Sequence, residues 1–111
     1  TFKFIFTPGH SKDGMCILAD NKLITGDTLF IGMVGGTSFE EDAKKQFMAL
    51  KRLMQLDDDI EVYPGHDYGI KSYSNIKYEK ENNPFITRKD FNDFIWLKLN
   101  WETYKKEHRI K

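Results

Sequence analysis

"TPGHSKDGMCILAD" occupies residues 7–20 and "LITGDTLFIG" residues 23–32, and both end a strand-like stretch with a glycine followed by a side chain able to bind metal. In the first, proline fixes one torsion and glycine frees the next, so Thr7-Pro8-Gly9 turns sharply and aims His10. In the second, Asp27 follows Gly26 at the end of "KLITG". A third stretch, "EVYPGHDYG" at 61–69, repeats the device: strand-forming residues, then Pro64-Gly65, then His66. Neutral imidazole and carboxylate are the usual ligands of zinc and, with open coordination positions, of iron. Loops leaving neighbouring strands at one end of a sheet can bring such side chains to one point. Spacing alone leaves the other reading open, in which His10 caps a turn, Asp27 bonds nearby amides and His66 is merely exposed.

Around these stretches the pattern is mixed. "TFKFIF" at 1–6 places Phe2, Phe4 and Phe6 on one side of a strand, predicting a sheet that covers a core. "MCILAD" and "KLITGD" read as a hairpin turning at Asp20-Asn21, and "FIGMVGGTS" at 30–38 as a glycine-rich loop. Residues 40–56 are predicted helical, with Ser38 as N-cap and Ala43, Phe47, Leu50 and Met54 on one face. The run Asp57-Asp58-Asp59 lacks the alternating oxygen ligands and glycine of a calcium loop and reads as a solvated turn. "SYSNIKYEKEN" at 72–82 is a polar helix or ordered loop stopped at Asn83-Pro84. From Thr87 and Asp90, in capping-box spacing, a terminal helix carries Phe91, Phe94, Ile95 and Leu99.

Composition narrows the function. The chain has 111 residues, enough for one modest domain, and 40% hydrophobic residues, too many for a disordered tail. Lys plus Arg and Asp plus Glu balance at 17 each, which leaves no field for nucleic acid or an anionic membrane surface. No apolar run approaches the roughly 20 residues that span a bilayer. The single cysteine, Cys16, forms no internal disulfide, fits a reducing, cytoplasmic setting, and reads as a packing thiol. The chain starts at Thr1 without a signal pattern, so an upstream segment is expected to have been removed.

"TPGHS", "LITGDTLFIG" and "VYPGHDYG", in that order, resemble the metallo-β-lactamase superfamily, and within it the glyoxalase II and persulfide dioxygenase branches. The resemblance runs from the first strand to at least "NNPF" at 82–85. It implies an α+β fold in which residues 1–111 form the C-terminal half of an αββα sandwich, a mixed sheet with helices packed on one face, the N-terminal half being absent. It also implies that His10 binds one metal, that Asp27 bridges two, and that His66 binds the second, zinc being the expected ion at both positions. Two close cations lower the pKa of a shared water, which attacks a carbonyl, and Asp27 is therefore the catalytic residue of the set. The expected reaction is hydrolysis of a small-molecule thioester or related ester.

Three further implications follow. The family's H-x-H-x-D-H cluster is nowhere in the sequence, and His108 lies in a lysine-rich tail, so three ligands cannot fill two metal sites. The isolated chain is expected to be inactive and to expose an apolar sheet face, needing either its N-terminal half or a second copy as partner. Tyr68 matches a tyrosine that holds the glutathione part of the substrate, although a packing role reads equally well. Where glyoxalase II carries a basic residue and an aromatic that grip glutathione, this chain has Gly36 and Ser38, with Lys44, Lys45 or a C-terminal basic residue as the available substitutes. Two alternatives stand beside the hydrolase: a mononuclear iron persulfide dioxygenase, in which His66 loses its direct metal role, and a catalytically silent packing half.

Overall fold

The computed structural model describes residues 2–12, 14–30, 32–37, 39–65 and 73–109. The alternating N-terminal stretches form β1 (Phe2–Phe6), β2 (Met15–Ala19) and β3 (Lys22–Gly26), β2 and β3 meeting at a turn where Asp20 takes a left-handed φ of 55°. Aspartate tolerates that conformation better than most residues, because its short polar side chain can bond to the nearby backbone. β6 (Glu61–Pro64) lies parallel to β3, and β7 (Ser74–Asn75) closes the edge antiparallel, giving the order β1-β2-β3-β6-β7. A parallel neighbour needs a crossover, and the chain supplies one through α1 (Glu40–Leu53). The fold is α+β, with α1, α2 (Ile76–Asn82), α3 (Phe91–Leu99) and α4 (Trp101–Glu107) following in chain order among the described residues. No helix among them is long and apolar enough to cross a membrane.

The core lies on one face of the sheet. Cys16, Leu23 and Val62 point into it and meet Ala43, Leu50 and Leu53 of α1, Ile76 of α2, and Phe94 and Leu97 of α3. Phe94 is fully buried, with ring centroids of Phe47 and Phe85 at 5.2 and 6.0 Å. The other face differs from the reading of "TFKFIF". Phe2, Phe4 and Phe6 do share one side, but they are 71%, 64% and 55% exposed, and Ile5 is the residue packed against the core. Register extends that open side across the sheet, through Phe4 to Ile17, Ile24 and Tyr63. Alternation in a strand defines two faces; it does not say which one is covered.

Local boundaries moved for identifiable reasons. The glycine-rich loop contains a small hairpin, β4 (Leu29–Phe30) with β5 (Met33–Val34). Helix α1 begins after Phe39, which offers no side-chain cap, and Ser38 lies outside the described residues. Its end tightens beyond Leu53 into i→i+3 bonds from Gln55 to Arg52 and from Leu56 to Leu53, short of the predicted residue 56. The acidic turn is exposed, with Asp58 paired to Lys80 at 2.7 Å. The terminal helix is two helices, because Asn100 leaves helical torsions (φ −114°, ψ 16°) and bonds back to the Trp96 carbonyl through its side chain. Leu99, the last residue of α3, is 81% exposed and is not packed on the core.

Thr87 is not the cap of α3. Its hydroxyl donates to the Pro84 carbonyl, and Asp90 caps the helix by accepting from the Asp93 amide at 3.0 Å. Asp90→Ala is expected to cost ~1 kcal/mol and to lower Tm by several degrees in a thermal melt. An unchanged Tm would show that the cap contributes nothing.

One element of α2 was not legible as structure. Glu79 is fully buried and accepts from the Gly32 amide (3.0 Å), the Ser74 hydroxyl (2.7 Å) and Asn83 Nδ2 (2.8 Å). Burial pushes its carboxyl above the usual range, opposed by those three donors. The network fastens the β4–β5 hairpin to the helical layer, and so fixes one wall of the segment that ends at Gly36.

Candidate metal centre

His10 and Asp27 come together at the end of the sheet where β1 and β3 finish. The loop after β1 is closed by the Thr7 amide on the Gly14 carbonyl (2.8 Å), and the Gly9 amide bonds the Ser11 carbonyl (3.1 Å). Gly9 has φ 147°, and a Cβ there would sit 2.6 Å from Gln46 Cβ, so both torsion and space require glycine directly before the histidine. The loop after β3 turns at once, with the Thr28 amide on the Thr25 carbonyl (2.9 Å). Thr7, 1% exposed, joins the two loops through a hydroxyl contact to Thr28 Oγ1 at 3.2 Å.

His10 Nδ1 lies 2.7 Å from the Gly36 carbonyl oxygen. A carbonyl only accepts, so Nδ1 carries the proton, and in the neutral ring Nε2 is left with its lone pair. Nε2 is 3.7 Å from Asp27 Oδ2, with both side chains 41% exposed. That distance is too long for a hydrogen bond, yet shorter than the sum of a zinc–nitrogen and a zinc–oxygen bond, about 4.0–4.3 Å. A histidine whose second nitrogen is tied to a carbonyl is the arrangement that orients metal-binding imidazoles. The donor pair therefore fits a divalent cation.

The third candidate, His66, and Tyr68 lie outside the described residues. What precedes His66 is described: the Gly65 amide donates to the Gly26 carbonyl at 2.8 Å, linking the residue before His66 to the residue before Asp27. Among the described residues no group of three or more His, Cys, Asp or Glu side chains is gathered for a metal.

No family model matches the chain. A hydroxyacylglutathione hydrolase of Francisella tularensis subsp. novicida is 41% identical over 73 residues, 63% of this chain and 29% of that protein. The crystal structure of ETHE1 from Myxococcus xanthus superposes with TM-score 0.82 at 35% identity, covering 90% of this chain and 45% of the other. A metallo-beta-lactamase from Staphylococcus aureus subsp. aureus COL superposes with TM-score 0.80 at 29% identity, covering 85% of this chain and 32% of the other. The chain belongs to the metallo-β-lactamase superfamily. Its relatives place it in the glyoxalase II/ETHE1 branch, and it spans less than half of each of them.

Within this superfamily chain, the residues around the His10–Asp27 pair include three whose part motif reading passed over, Gly35, Gln46 and Lys98. Gly35 is wedged between the loops bearing His10 and Asp27: a Cβ there would meet the Asp27 carbonyl oxygen at 1.9 Å and His10 Cγ at 3.1 Å. Its carbonyl accepts from Gln46 Nε2 (2.7 Å) and Lys98 Nζ (3.0 Å), and Lys98 also meets Gln46 Oε1 at 2.5 Å. The signal was periodicity. Gln46 falls in the buried stripe with Ala43, Leu50 and Leu53, and Lys98 stands four residues after Phe94, its ammonium 5.4 Å from that ring. Cys16 is fully buried, and burial pushes its thiol up, so it is a packing residue as expected.

Burial draws the Lys98 ammonium down to about 8 from an ordinary 10.5. With the folded value below the unfolded one, the unfolded chain binds more protons between those two pH values, and stability rises with pH across that window. Denaturant titrations from pH 7.5 to 10.5 are expected to show this rise, and Lys98→Met is expected to flatten it. A wild-type slope identical to that of the variant would contradict the assignment.

Proposed function

We propose that this chain supplies the His10–Asp27–His66 side of a metal centre in a thioester hydrolase of the glyoxalase II kind. The observation that carries the reading is the His10 ring held by its Nδ1 proton on Gly36, with Nε2 turned to the Asp27 carboxylate at 3.7 Å. Two zinc ions are the proposed cofactor, which His10, Asp27 and His66 would help to hold. When bound, such cations supply an activated water at neutral pH and polarise the thioester carbonyl. The residues of this chain orient that chemistry: Gly36 fixes the imidazole tautomer, Gly9 and Gly35 permit the close approach of the two loops, and Asp27 supplies the carboxylate. Tyr68 is the proposed substrate contact.

A groove of about 480 Å³ runs from Gly36 past Phe39 and Ile95 to Leu99, with Lys98 in its wall, which supports a small-molecule substrate. Gly36 offers no side chain to grip a carboxylate, so the thioester bond, and not glutathione in particular, defines the proposed substrate class. The open face bearing Phe2, Phe4, Phe6, Met15 and Ile24 supports a partner layer, either an N-terminal half or a second copy, and by the same token an inactive isolated chain. A free, buried Cys16 supports a cytoplasmic setting.

The resemblance of "HDYG" and "NNPF" to the persulfide dioxygenase branch supports one second reading, an enzyme of that kind with a single iron on His10 and Asp27. Metal analysis and product assay of the whole protein separate the two. Two zincs per chain with thiol release support the hydrolase, and one iron with sulfite formation replaces it by the dioxygenase.

A further inference from the structure

The Gly35–Gly36 peptide is held from two sides. Toward the ligands, Gly35 packs against the Asp27 backbone and the His10 ring, and the Gly36 carbonyl holds His10 Nδ1. Toward the helices, the Gly35 carbonyl takes both Gln46 Nε2 from α1 and Lys98 Nζ from α3, while its amide donates to the Thr28 carbonyl at 3.3 Å. Gln46 is 1% exposed and also touches the other ligand loop, through Gly9. Two donors on the Gly35 carbonyl hold the Gly35–Gly36 peptide plane, and the next plane, which carries the Gly36 oxygen on which the imidazole rests, starts from it at the Gly36 Cα.

We infer that Lys98 and Gln46 form a positioning clamp that, through the Gly35–Gly36 peptide, sets the direction and tautomer of the His10 ring. The clamp is built from three segments: Gly35 lies 11 residues from Gln46 and 63 from Lys98. Nothing in it touches the proposed metal position directly. Its role is to hold the Gly35 carbonyl, one residue before the carbonyl that bears the His10 ring, and it couples the placement of α3 to the loops bearing His10 and Asp27. The inference rests on the reading of His10 as a metal ligand.

The test is made on the whole protein by nitrogen-15 NMR of the His10 imidazole without metal, together with calorimetric zinc titration. Lys98→Met keeps the apolar stem and removes the donor. It is expected to turn a single Nδ1–H tautomer into a mixture and to weaken zinc binding about tenfold, the lower end of what an outer partner of a metal-binding histidine is worth. Lys98→Arg, which still offers donors to both oxygens, is expected to recover most of that loss. Phe91→Leu loosens the packing of α3 without touching the clamp, and is expected to leave the His10 spectrum unchanged. An unaltered tautomer in Lys98→Met, or the same alteration in Phe91→Leu, overturns the clamp. If the wild type binds no zinc while Lys98→Met still changes the tautomer, the clamp stands and the metal reading falls.

Discussion

Alanine in place of Asp27 is expected to leave the fold standing and to remove zinc binding and turnover from the whole protein. The side chain is 41% exposed at the sheet end, and substitutions at such positions usually change stability by no more than ~0.5 kcal/mol. The metal effect is of another order. Loss of an outer partner of a ligand costs about 10- to 100-fold in affinity, and loss of the carboxylate itself must exceed that. Asp27→Asn retains the shape and one oxygen but not the charge, and is expected to fall between wild type and Asp27→Ala. Calorimetric zinc titration beside a thermal melt reads both quantities. Normal zinc affinity in a folded Asp27→Ala protein would refute the ligand role.

Gly35→Ala is expected to damage fold and site together. The added methyl would sit 1.9 Å from the Asp27 carbonyl oxygen, a backbone atom that can move only with its loop, and 3.1 Å from the His10 ring. Overpacking costs typically ~1–3 kcal/mol and occasionally more, and a contact this short against backbone belongs at the upper end. Gly36→Ala makes the natural control, since a Cβ there meets nothing within 4 Å. Adjacent glycines should therefore part company: Gly35→Ala with a lower midpoint in denaturant and no zinc binding, Gly36→Ala close to wild type in both. Equal behaviour of the two variants would mean that the approach of the two ligand loops is looser than described.

Motif reading located the His10–Asp27 pair because the device is local. Each candidate ligand follows a glycine after a strand, and strand end, turn and side chain all lie within a few residues. The Asp20-Asn21 hairpin and the α1 stripe were legible for the same reason. What stayed hidden depends on distant partners. Glu79 reads as one more acid in a polar segment, and only the convergence of Gly32, Ser74 and Asn83 explains its burial. Lys98 reads as a surface lysine until Gly35 and Gln46 come to meet it. The phenylalanines of β1 show the reverse limit: their alternation was plain, but which side of the sheet the helices cover is decided by the crossover through α1. The break at Asn100 turns on one side chain bonding back to Trp96, which helical periodicity does not report.

The most direct measurement is anomalous diffraction at the zinc edge from crystals of the whole protein grown with zinc. Density next to both His10 Nε2 and the Asp27 carboxylate, with Nδ1 still on the Gly36 carbonyl, is the predicted result. Zinc bound elsewhere, with that imidazole and carboxylate untouched, would contradict it.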